Sequence, residues 1–404
     1  MNIKDIGDPG SRKAIQEKVN WVEYYDEEGD YCEKEVPVVD ANGDFETDDV
    51  TSLYDVESAS TLDGVEKLTK LNTLEIKKYT GTNMTLSNPC LNYVSVITTA
   101  SSVTFKLPNV TTLSVTGNSA LKKVDITAEK LTYLDLSGSK LSTIKCSNPK
   151  NLKSLGLYSV PGKRIDVTKY PNLSYLNLSK TKATSIKGLS KLTKLTGIYC
   201  YKTKMKSLDL KKNKKLEYAD VEYSPLSSIS LPSKIQSVYL NNNKLASLDF
   251  SKKSKLTSID VSGNKLTSLK LPSKTRWVRA NNNKLTSLNV SKCKELYSLY
   301  VGGNKNLKTL DVSKNKKLEY VSVYGTKISK LNLKNKYVYM YFEAKKNKSI
   351  NIKNYIGSGW TKTYSYGGIT YDKKKGTVKG TKKGWNTVYL KKGSKTRCIE
   401  VHVK

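Results

Sequence analysis

Residues 256–266 read LTSIDVSGNKL, and this spacing of apolar and polar residues decides the fold of the chain. Its first, fourth, sixth and eleventh positions are apolar, and its ninth is asparagine. Related stretches begin at residues 131, 173, 216, 235 and 318. In a common register, first positions fall at residues 71, 91, 110, 131, 152, 173, 195, 216, 235, 256, 275, 296, 318 and 337. Fourteen such copies predict an array of stacked repeats.

Successive copies are 19–22 residues apart. This period is at the short end of the range of about 20–29 residues that is typical of leucine-rich repeats (LRRs). A coil this short has no room for a full helix, so each coil must combine a strand with an extended or 3₁₀ return. The returns carry a second apolar triplet, as in LASLDF at 245–250 and LKTLDV at 307–312. We therefore predict a right-handed, β-rich LRR solenoid.

Within each copy, the first, fourth and sixth side chains are expected to point inward and stack on their counterparts in neighbouring coils. The ninth position is asparagine at residues 118, 243, 264, 283 and 304. An asparagine amide there can donate to and accept from backbone groups where the strand bends into the turn. Ser139, Thr181, Thr203, Ser224 and Thr326 occupy the same position elsewhere. These hydroxyls are expected to make part of the same hydrogen bonds.

Residues 60–343 resemble bacterial cell-surface LRR proteins related to the internalins. SRKAIQEKVN at 11–20, the acidic stretch 40–56 and LDGVEKLTKLNTLEI at 62–76 are similar to the N-terminal caps of that group. The resemblance implies a short helix, an acidic loop and entry into the first repeat. The tail, 371–404, resembles the small β modules that follow such repeats, with alternating strands and glycine turns. We predict a cap region at 1–66, a solenoid at 67–343 and an all-β sandwich or cap module at 344–404.

The charge is distributed unevenly along the chain. Residues 1–66 carry 19 acidic and 5 basic side chains, a net charge of −14, whereas residues 67–404 carry 17 acidic and 65 basic, a net charge of +48. Such a surface can attract dense polyanions, and dispersed surface lysines also keep a solenoid soluble. Nucleic acid is disfavoured because arginines are few. An anionic cell-wall polymer therefore stays a candidate partner beside simple solubility.

Residue types that carry catalytic or metal chemistry are sparse. The six cysteines contain no CxxC pair, so neither a disulfide framework nor a zinc site is predicted. Cys146 and Cys200 occupy apolar positions of the repeat and are expected in the core. His402 is the single histidine, which removes histidine-based triads and multi-histidine metal sites. We expect no cofactor.

Neither end of the sequence predicts insertion into a membrane. The chain has no run of 18 apolar residues, so no membrane span is expected. Residues 1–15 lack the apolar core of a signal peptide. We expect the protein either to be cytosolic or to begin after a signal peptide that has been removed.

The third, fifth and seventh positions of each copy should face outward on the concave surface, because strand side chains alternate. These 42 positions hold 13 of the 27 tyrosines, where chance would place about three. The aromatic members are Tyr93, Tyr133, Tyr175, Tyr218, Trp277, Tyr320 and Tyr339 in the third column, Tyr199, Tyr239, Tyr300 and Tyr341 in the fifth, and Tyr158, Tyr201 and Tyr324 in the seventh. Asp135, Asn177, Asp220, Glu222, Asn241, Asp260, Arg279 and Asn281 share the columns. Aromatic faces among hydrogen-bonding groups suit glycan or peptide recognition.

Two alternatives apply to these columns. Tyrosines on adjacent strands can simply stiffen the sheet, each pair contributing about 0.2–1 kcal/mol. The return segments also approximate the LxxLxL pattern, so the choice of face depends on the xxNxL ending. The outward positions of the returns are mainly Ser, Asp and Lys.

Two acidic groups are candidates for chemical sites. Asp220 and Glu222 share one strand face with Asp260 two coils away, and paired carboxylates serve glycoside hydrolysis. A shallow sheet offers no deep pocket, so an enzyme is not predicted. Asp40, Asn42 and Asp44 resemble part of a calcium loop, but Phe45 replaces its turn glycine and Thr51 its bidentate glutamate. A solvated acidic cap is predicted there in preference to a metal site.

These patterns predict a non-enzymatic extracellular or cell-surface protein that binds a host or microbial protein or glycan through its tyrosine-rich face. The alternative is an intracellular LRR scaffold or a delivered effector that binds a protein partner. The localisation follows only from the family resemblance, the C-terminal β module and the polar surface. The ligand and the oligomeric state stay open.

Overall fold

The computed structural model of the protein describes residues 2–7, 9–16, 19–25, 31–37, 44–47, 50–117, 119–141, 143–331, 333, 335 and 337–404. They form two compact units, Met1–Thr203 and Lys204–Lys404. Asp40 and Asn42 of the acidic stretch and the ninth-position Asn118 lie outside the described residues. Both units are built from short strands with few helical turns.

The first unit begins with a helix, a hairpin and then a parallel sheet. Helix α1 is Pro9–Gln16, and β1 (Val19–Tyr25) pairs with β2 (Tyr31–Pro37) in antiparallel orientation. The main sheet contains β3 (Ser52–Val56), β4 (Thr73–Tyr79), β6 (Tyr93–Thr98), β8 (Thr112–Thr116), β10 (Tyr133–Asp135), β12 (Ser154–Gly156), β14 (Tyr175–Asn177) and β16 (Gly197–Tyr199). The returns contain β5 (Asn83–Ser87), β7 (Ser102–Lys106), β9 (Lys123–Thr127), β11 (Thr143–Cys146), β13 (Arg164–Asp166) and β15 (Ser185–Lys187). Among the described residues, 3₁₀ turns lie at Ile3–Asp5, Val65–Lys67, Pro149–Asn151 and Leu189–Lys191.

The second unit continues the same pattern and ends in a β module. Its main sheet contains β18 (Tyr218–Asp220), β20 (Ser237–Tyr239), β22 (Ser258–Asp260), β24 (Trp277–Arg279), β25 (Ser298–Tyr300), β26 (Tyr320–Ser322) and β27 (Tyr337–Ala344). Its return strands are β17 (Ser207–Asp209), β19 (Ser228–Ser230), β21 (Ser247–Asp249) and β23 (Ser268–Lys270). The module consists of β28 (Ser349–Asn351), α2 (Lys353–Ile356), β29 (Thr361–Tyr366), β30 (Ile369–Asp372), β31 (Thr377–Gly380), β32 (Gly384–Lys392) and β33 (Lys395–Val403).

The predicted register is confirmed along the described strands. Third positions pair with third positions across adjacent parallel strands, as Ser258 does with Trp277, and fifth with fifth, as Asp260 does with Arg279. The return strands form separate, shorter parallel sheets, so the xxNxL ending selects the main sheet correctly. The structure is therefore a short-repeat solenoid with extended and 3₁₀ returns.

Inward positions form the continuous apolar ladder that the repeat predicts. Leu256, Ile259 and Val261 are at most 2% exposed, and the same three positions are buried in neighbouring coils. In the last copy the first inward position moves by one residue, from Tyr337 to Val338. Tyr337 is exposed because the eight-residue strand β27 alternates strictly and turns Val338, Met340 and Phe342 inward. Of the two cysteines expected in the core, Cys200 is fully buried and Cys146 is only half-buried.

The ninth-position asparagines make the predicted backbone hydrogen bonds. Asn283 accepts from the Leu266 N–H at 3.0 Å and donates to the Val261 and Ala280 carbonyls at 2.9 and 3.2 Å. Asn243, Asn264 and Asn304 repeat this pattern. The hydroxyls of Ser139, Thr181 and Thr326 each donate at 2.7 Å to the carbonyl three residues earlier. Thr181 and Thr326 also accept from the N–H two residues later at 3.3 Å. The hydroxyls thus replace the bond that the amide donates to the carbonyl three residues earlier, while among the described residues these three make none of its bonds to the preceding coil.

The start of the chain contains the short helix that the resemblance implies and adds a hairpin and a strand that it does not. The helix ends at Gln16, and Val19 already begins a strand of the β1–β2 hairpin. Strand β3 pairs in parallel with β4, so the main sheet begins one strand before the first predicted copy. Leu53 and Val56 are the buried side chains of this extra strand, and they cover the apolar ladder of the next coil.

The C-terminal strands extend the main sheet instead of forming a separate sandwich. Strand β33 pairs in parallel with β27, β32 is antiparallel to β33, and β29 is antiparallel to β32. A small antiparallel sheet of β28, β31 and β30 lies beside them. Val388, Leu390, Ile399 and Val401 are fully buried. These strands therefore close the apolar ladder of the last coil, as a terminal cap must.

Candidate functional site

We call the surface formed by the third, fifth and seventh positions of the main-sheet copies the outward face. Each strand of three residues turns its middle side chain into the core and its two ends outward, as in β24, where Val278 is buried between Trp277 and Arg279. The predicted candidates accordingly reach the surface. No helix among the described residues has the length and apolar character to cross a bilayer.

In the first unit, the outward face carries the predicted tyrosines Tyr133, Tyr158, Tyr175, Tyr199 and Tyr201. Tyr175 and Tyr199 stack with ring centroids 4.9 Å apart. The Lys180 ammonium lies 4.8 Å from the Tyr158 ring, and that of Lys202 lies 5.2 Å from the ring of Tyr201. Tyr133 is 40% exposed. Neighbouring rings and lysines thus cover part of the other four tyrosines, whereas Tyr133 presents its ring to solvent.

In the second unit, tyrosines pair across adjacent strands, and Tyr300 on β25 also contacts Tyr341 on β27 across β26, where its register partner is the small Ser322. The pairs, with their centroid distances, are Tyr218–Tyr239 at 5.3 Å, Tyr300–Tyr341 at 5.3 Å and Tyr320–Tyr339 at 5.0 Å. These contacts are those expected of a stiffened sheet. Stiffening does not hide the rings, since Tyr239, Tyr300 and Tyr341 also line surface cavities.

Two shallow cavities lie side by side on this part of the outward face. The first, about 440 Å³, is lined by Ser237, Tyr239, Thr257, Ser258, Ile259, Asp260, Trp277, Arg279 and Ser298. The second, about 410 Å³, is lined by Asp260, Ser262, Arg279, Asn281, Asn282, Tyr300, Ser322, Tyr324, Tyr341, Phe342, Glu343 and Trp385. Asp260 and Arg279 belong to both. A carboxylate and a guanidinium on adjacent strands therefore separate two aromatic-walled cavities.

The aromatic side chains at the cavities are held by cationic neighbours. The Arg276 guanidinium lies 4.6 Å from the Trp277 ring centroid, and that of Arg279 lies 5.6 Å from the Tyr300 ring. Trp277 is 39% exposed. Burial raises the pKa of Tyr324 to about 12, with the nearby Glu343 adding to the shift, so this phenol stays a hydrogen-bond donor at neutral pH.

The candidate aspartates also have a structural role that the repeat pattern does not predict. Asp220 accepts from the Glu222 N–H at 3.2 Å, and Asp260 accepts from the Ser262 N–H at 3.0 Å. Asp135, Asp166, Asp209, Asp249 and Asp311 accept in the same way from the N–H two residues later. An aspartate at the end of a strand thus closes the turn that follows it.

Glu222 is the carboxyl group on the outward face whose titration is most altered. Burial, followed by the charges of Asp220 and Asp260, raises its pKa to about 7, and a hydrogen bond with Asn241 opposes this shift. Burial also raises the pKa of Asp220. Glu222 therefore carries less than a full negative charge near neutral pH.

The solved structures of other proteins share this architecture. An internalin (InlF) from Listeria monocytogenes is 16% identical, with a TM-score of 0.50 over 82% of this chain and 97% of its own. YopM, a leucine-rich effector protein from Yersinia pestis, is 19% identical, with a TM-score of 0.51 over 72% of this chain and 83% of its own. The chain has the leucine-rich repeat fold. No protein-family model and no curated protein sequence matches it.

Some residues that line the cavities of the outward face were not predicted from the sequence. Ser258 and Ser298 hold the third positions on either side of Trp277, and Ser237 holds the one beyond Ser258. All three line the first cavity, and their small side chains leave room for it. Alternation of large and small residues in the third column would have revealed this. Trp385 lines the second cavity and packs against Tyr341 with centroids 6.3 Å apart. No repeat position marks Trp385, because it comes from the C-terminal module.

We expect Glu222→Gln to stabilise the LRR chain at alkaline pH. Since the folded pKa of Glu222 exceeds its ordinary value of 4.5, wild-type stability falls as pH rises from about 4.5 to about 7. Glutamine removes this cost. The gain at pH 8 should be about 1 kcal/mol or less, because the side chain is only part-buried and screened by solvent.

Urea unfolding at pH 5 and pH 8 measures this difference. The gain should shrink towards pH 5, where folded Glu222 is already protonated. Glu217→Gln, at an exposed site one strand position before Tyr218, is the matched control and should show no such pH-dependent gain. Equal stability of wild type and Glu222→Gln at both pH values would contradict the assignment.

Proposed function

We propose that this LRR chain is a non-enzymatic binding protein whose outward face in the second unit binds a protein partner. The carrying observation is the pair of cavities that share Asp260 and Arg279. Their walls combine large aromatic area with hydrogen-bonding groups, the composition of protein-binding hot spots. Exposed Trp277 supplies the largest side chain in this arrangement.

A protein ligand is favoured over a glycan by the charges on this face. Asp260 and Arg279 are register neighbours on β22 and β24, so they offer opposite charges side by side. A peptide segment can pair with both through its own charged side chains, whereas a neutral glycan offers hydroxyl hydrogen bonds but no opposite charge. The remaining candidates, among them Tyr218, Asp220, Glu222 and Tyr320, would extend the contact to other coils.

We further propose that the protein acts outside the cell or at its surface, on a host or microbial partner. The polar, tyrosine- and lysine-rich surface supports this placement. The competing proposal is an intracellular scaffold or a delivered effector. Both an internalin and an effector share the LRR fold, so the fold suits either setting. A signal peptide encoded directly upstream, together with recovery of the protein from culture medium or cell wall, would favour the extracellular or cell-surface proposal.

Tyr239→Ala is expected to weaken capture of the partner about tenfold, since this tyrosine lines the first cavity and stacks on Tyr218. A protein and glycan array probed with wild-type chain identifies the ligand class, and titration of each hit gives the affinities. Tyr366→Ala is the control, because Tyr366 is an exposed tyrosine that lines neither cavity.

Three results would count against this proposal. Capture of glycans alone would replace the protein ligand with a carbohydrate. Equal loss of capture with Tyr239→Ala and Tyr366→Ala would remove the outward face as the site. Release of products from a broad polysaccharide panel would restore the enzyme alternative.

The lysine-rich surface supports a separate attachment to an anionic cell-wall polymer. Exposed charges act over about 8–10 Å at physiological salt. Retention on such a polymer should therefore fall steeply as salt is raised, and retention that is indifferent to ionic strength would exclude this mode.

A further inference from the structure

A separate cavity of about 720 Å³ lies where the last coil meets the C-terminal module. It is lined by Ser329, Lys330, Leu331, Leu333, Asn351, Lys353, Asn354, Tyr355, Ile356, Gly357, Ser358, Lys375 and Arg397. None of these residues belongs to the third, fifth or seventh column. Its volume is within the range of about 300–1,000 Å³ that small-ligand sites occupy.

The charged residues that line this cavity are all cationic. Arg397, Lys330, Lys353 and Lys375 are among its lining residues, and no aspartate or glutamate of the described chain is. Among the described residues, none of the three lysines forms an ion pair with a carboxylate. The Asp372 carboxylate nearby accepts from the backbone N–H of Lys375 at 2.9 Å. The lysine ammonium groups are therefore available to a ligand.

A further ammonium group is held close to the cavity. The Lys392 ammonium donates to the carbonyl of the lining residue Ser358 at 2.7 Å. A positive charge is thus anchored at the rim by a neutral acceptor. The local field consequently favours an anion beyond what the lining residues alone supply.

Arg397 is the one charged lining residue that is buried, with 1% of its surface exposed. Its guanidinium donates to the carbonyls of Thr396, Asn335 and Leu333 at 2.8, 3.1 and 3.3 Å, and lies 5.0 Å from the Trp360 ring centroid. Burial lowers its pKa to about 10, so it stays cationic at neutral pH. The cavity lining therefore combines one fixed guanidinium group, that of Arg397, with three exposed lysine side chains that can adjust to a ligand.

We propose that this cavity binds a polyvalent oxyanion, namely a phosphate group. Four cationic residues line this one cavity, and an anion with several oxygens can accept charge-assisted hydrogen bonds from more than one of them. The lining also includes residues that carry neutral donors, namely Ser329, Asn351, Asn354, Tyr355 and Ser358. The phosphate group can belong to a small molecule or to a polymer, and the two sources share this chemistry.

Isothermal titration with inorganic pyrophosphate tests the site directly. The wild-type chain should bind it, and the double variant Lys353→Gln/Lys375→Gln should bind at least about tenfold more weakly. Both lysines are exposed, so the variant should unfold at the wild-type temperature. Lys252→Gln/Lys274→Gln removes two exposed lysines of the same unit that do not line the cavity, and it should keep the wild-type affinity.

A second titration with linear polyphosphate separates the two sources. Tighter binding of polyphosphate than of pyrophosphate, lost in the Lys353→Gln/Lys375→Gln variant, indicates a polymer ligand, whereas a preference for pyrophosphate indicates a small one. Failure of the wild-type chain to bind pyrophosphate at millimolar concentration would overturn the proposal. Equal weakening by the control pair would do so too, because binding would then reflect general lysine charge.

Discussion

Replacing Asn264 with alanine is expected to lower the free energy of unfolding by about 3 kcal/mol. The amide of Asn264 donates to the Leu240 and Val261 carbonyls at 2.8 and 3.0 Å and accepts from the Leu245 N–H at 3.0 Å. Alanine leaves the buried Leu245 N–H without a partner, which costs about 1–3 kcal/mol. The Leu240 and Val261 carbonyls each lose one bond, worth about 0.5–1.5 kcal/mol, but still accept from Asn243 and Asn283 at 2.9 Å.

Urea unfolding monitored by circular dichroism measures this loss. Asn306→Ala is the matched control, since Asn306 is exposed and its side chain accepts only a 3.5 Å contact from Lys327. That variant should stay within about 0.5 kcal/mol of wild type. If Asn264→Ala is equally mild, the asparagine ladder does not join the coils as we infer.

Trp277→Ala is expected to weaken partner binding about 100-fold, or about 2.7 kcal/mol. The indole lines the first cavity, and the Arg276 guanidinium lies 4.6 Å from its ring centroid. Truncation therefore removes the largest apolar wall of the cavity and frees the arginine that packs on it. The core is untouched because Trp277 points away from Val278, which carries the buried contacts of β24.

Affinity for the captured partner, measured by titration with each variant, tests this expectation. Trp277→Phe keeps a flat aromatic wall and should lose less than about tenfold in affinity. Thermal unfolding checks that Trp277→Ala remains folded. Should the alanine variant bind as tightly as wild type, or should it unfold, the outward face would be structural and the proposed function would lose its main support.

The sequence was most informative where one contact is repeated. The buried position of Leu256, the outward position of Trp277 and the hydrogen bonds of Asn283 all follow from the same periodic pattern, and the structure places each as predicted. It was less informative about the aspartates. An aspartate at position 260 is compatible both with ligand binding and with closing a turn. Its 3.0 Å bond with the Ser262 N–H reveals the second role.

The sequence by itself determined the LRR solenoid, its register and the residues of the outward face. Each coil contacts mainly its neighbours, so the physical constraints repeat every 19–22 residues and remain visible as a period. Only the tertiary structure decided how the ends are closed and which side chains share a cavity. Trp385 reaches Tyr341, and Arg397 reaches the Leu333 carbonyl 64 residues earlier. Such contacts join segments of unrelated sequence once each, and a contact made once leaves no period to detect.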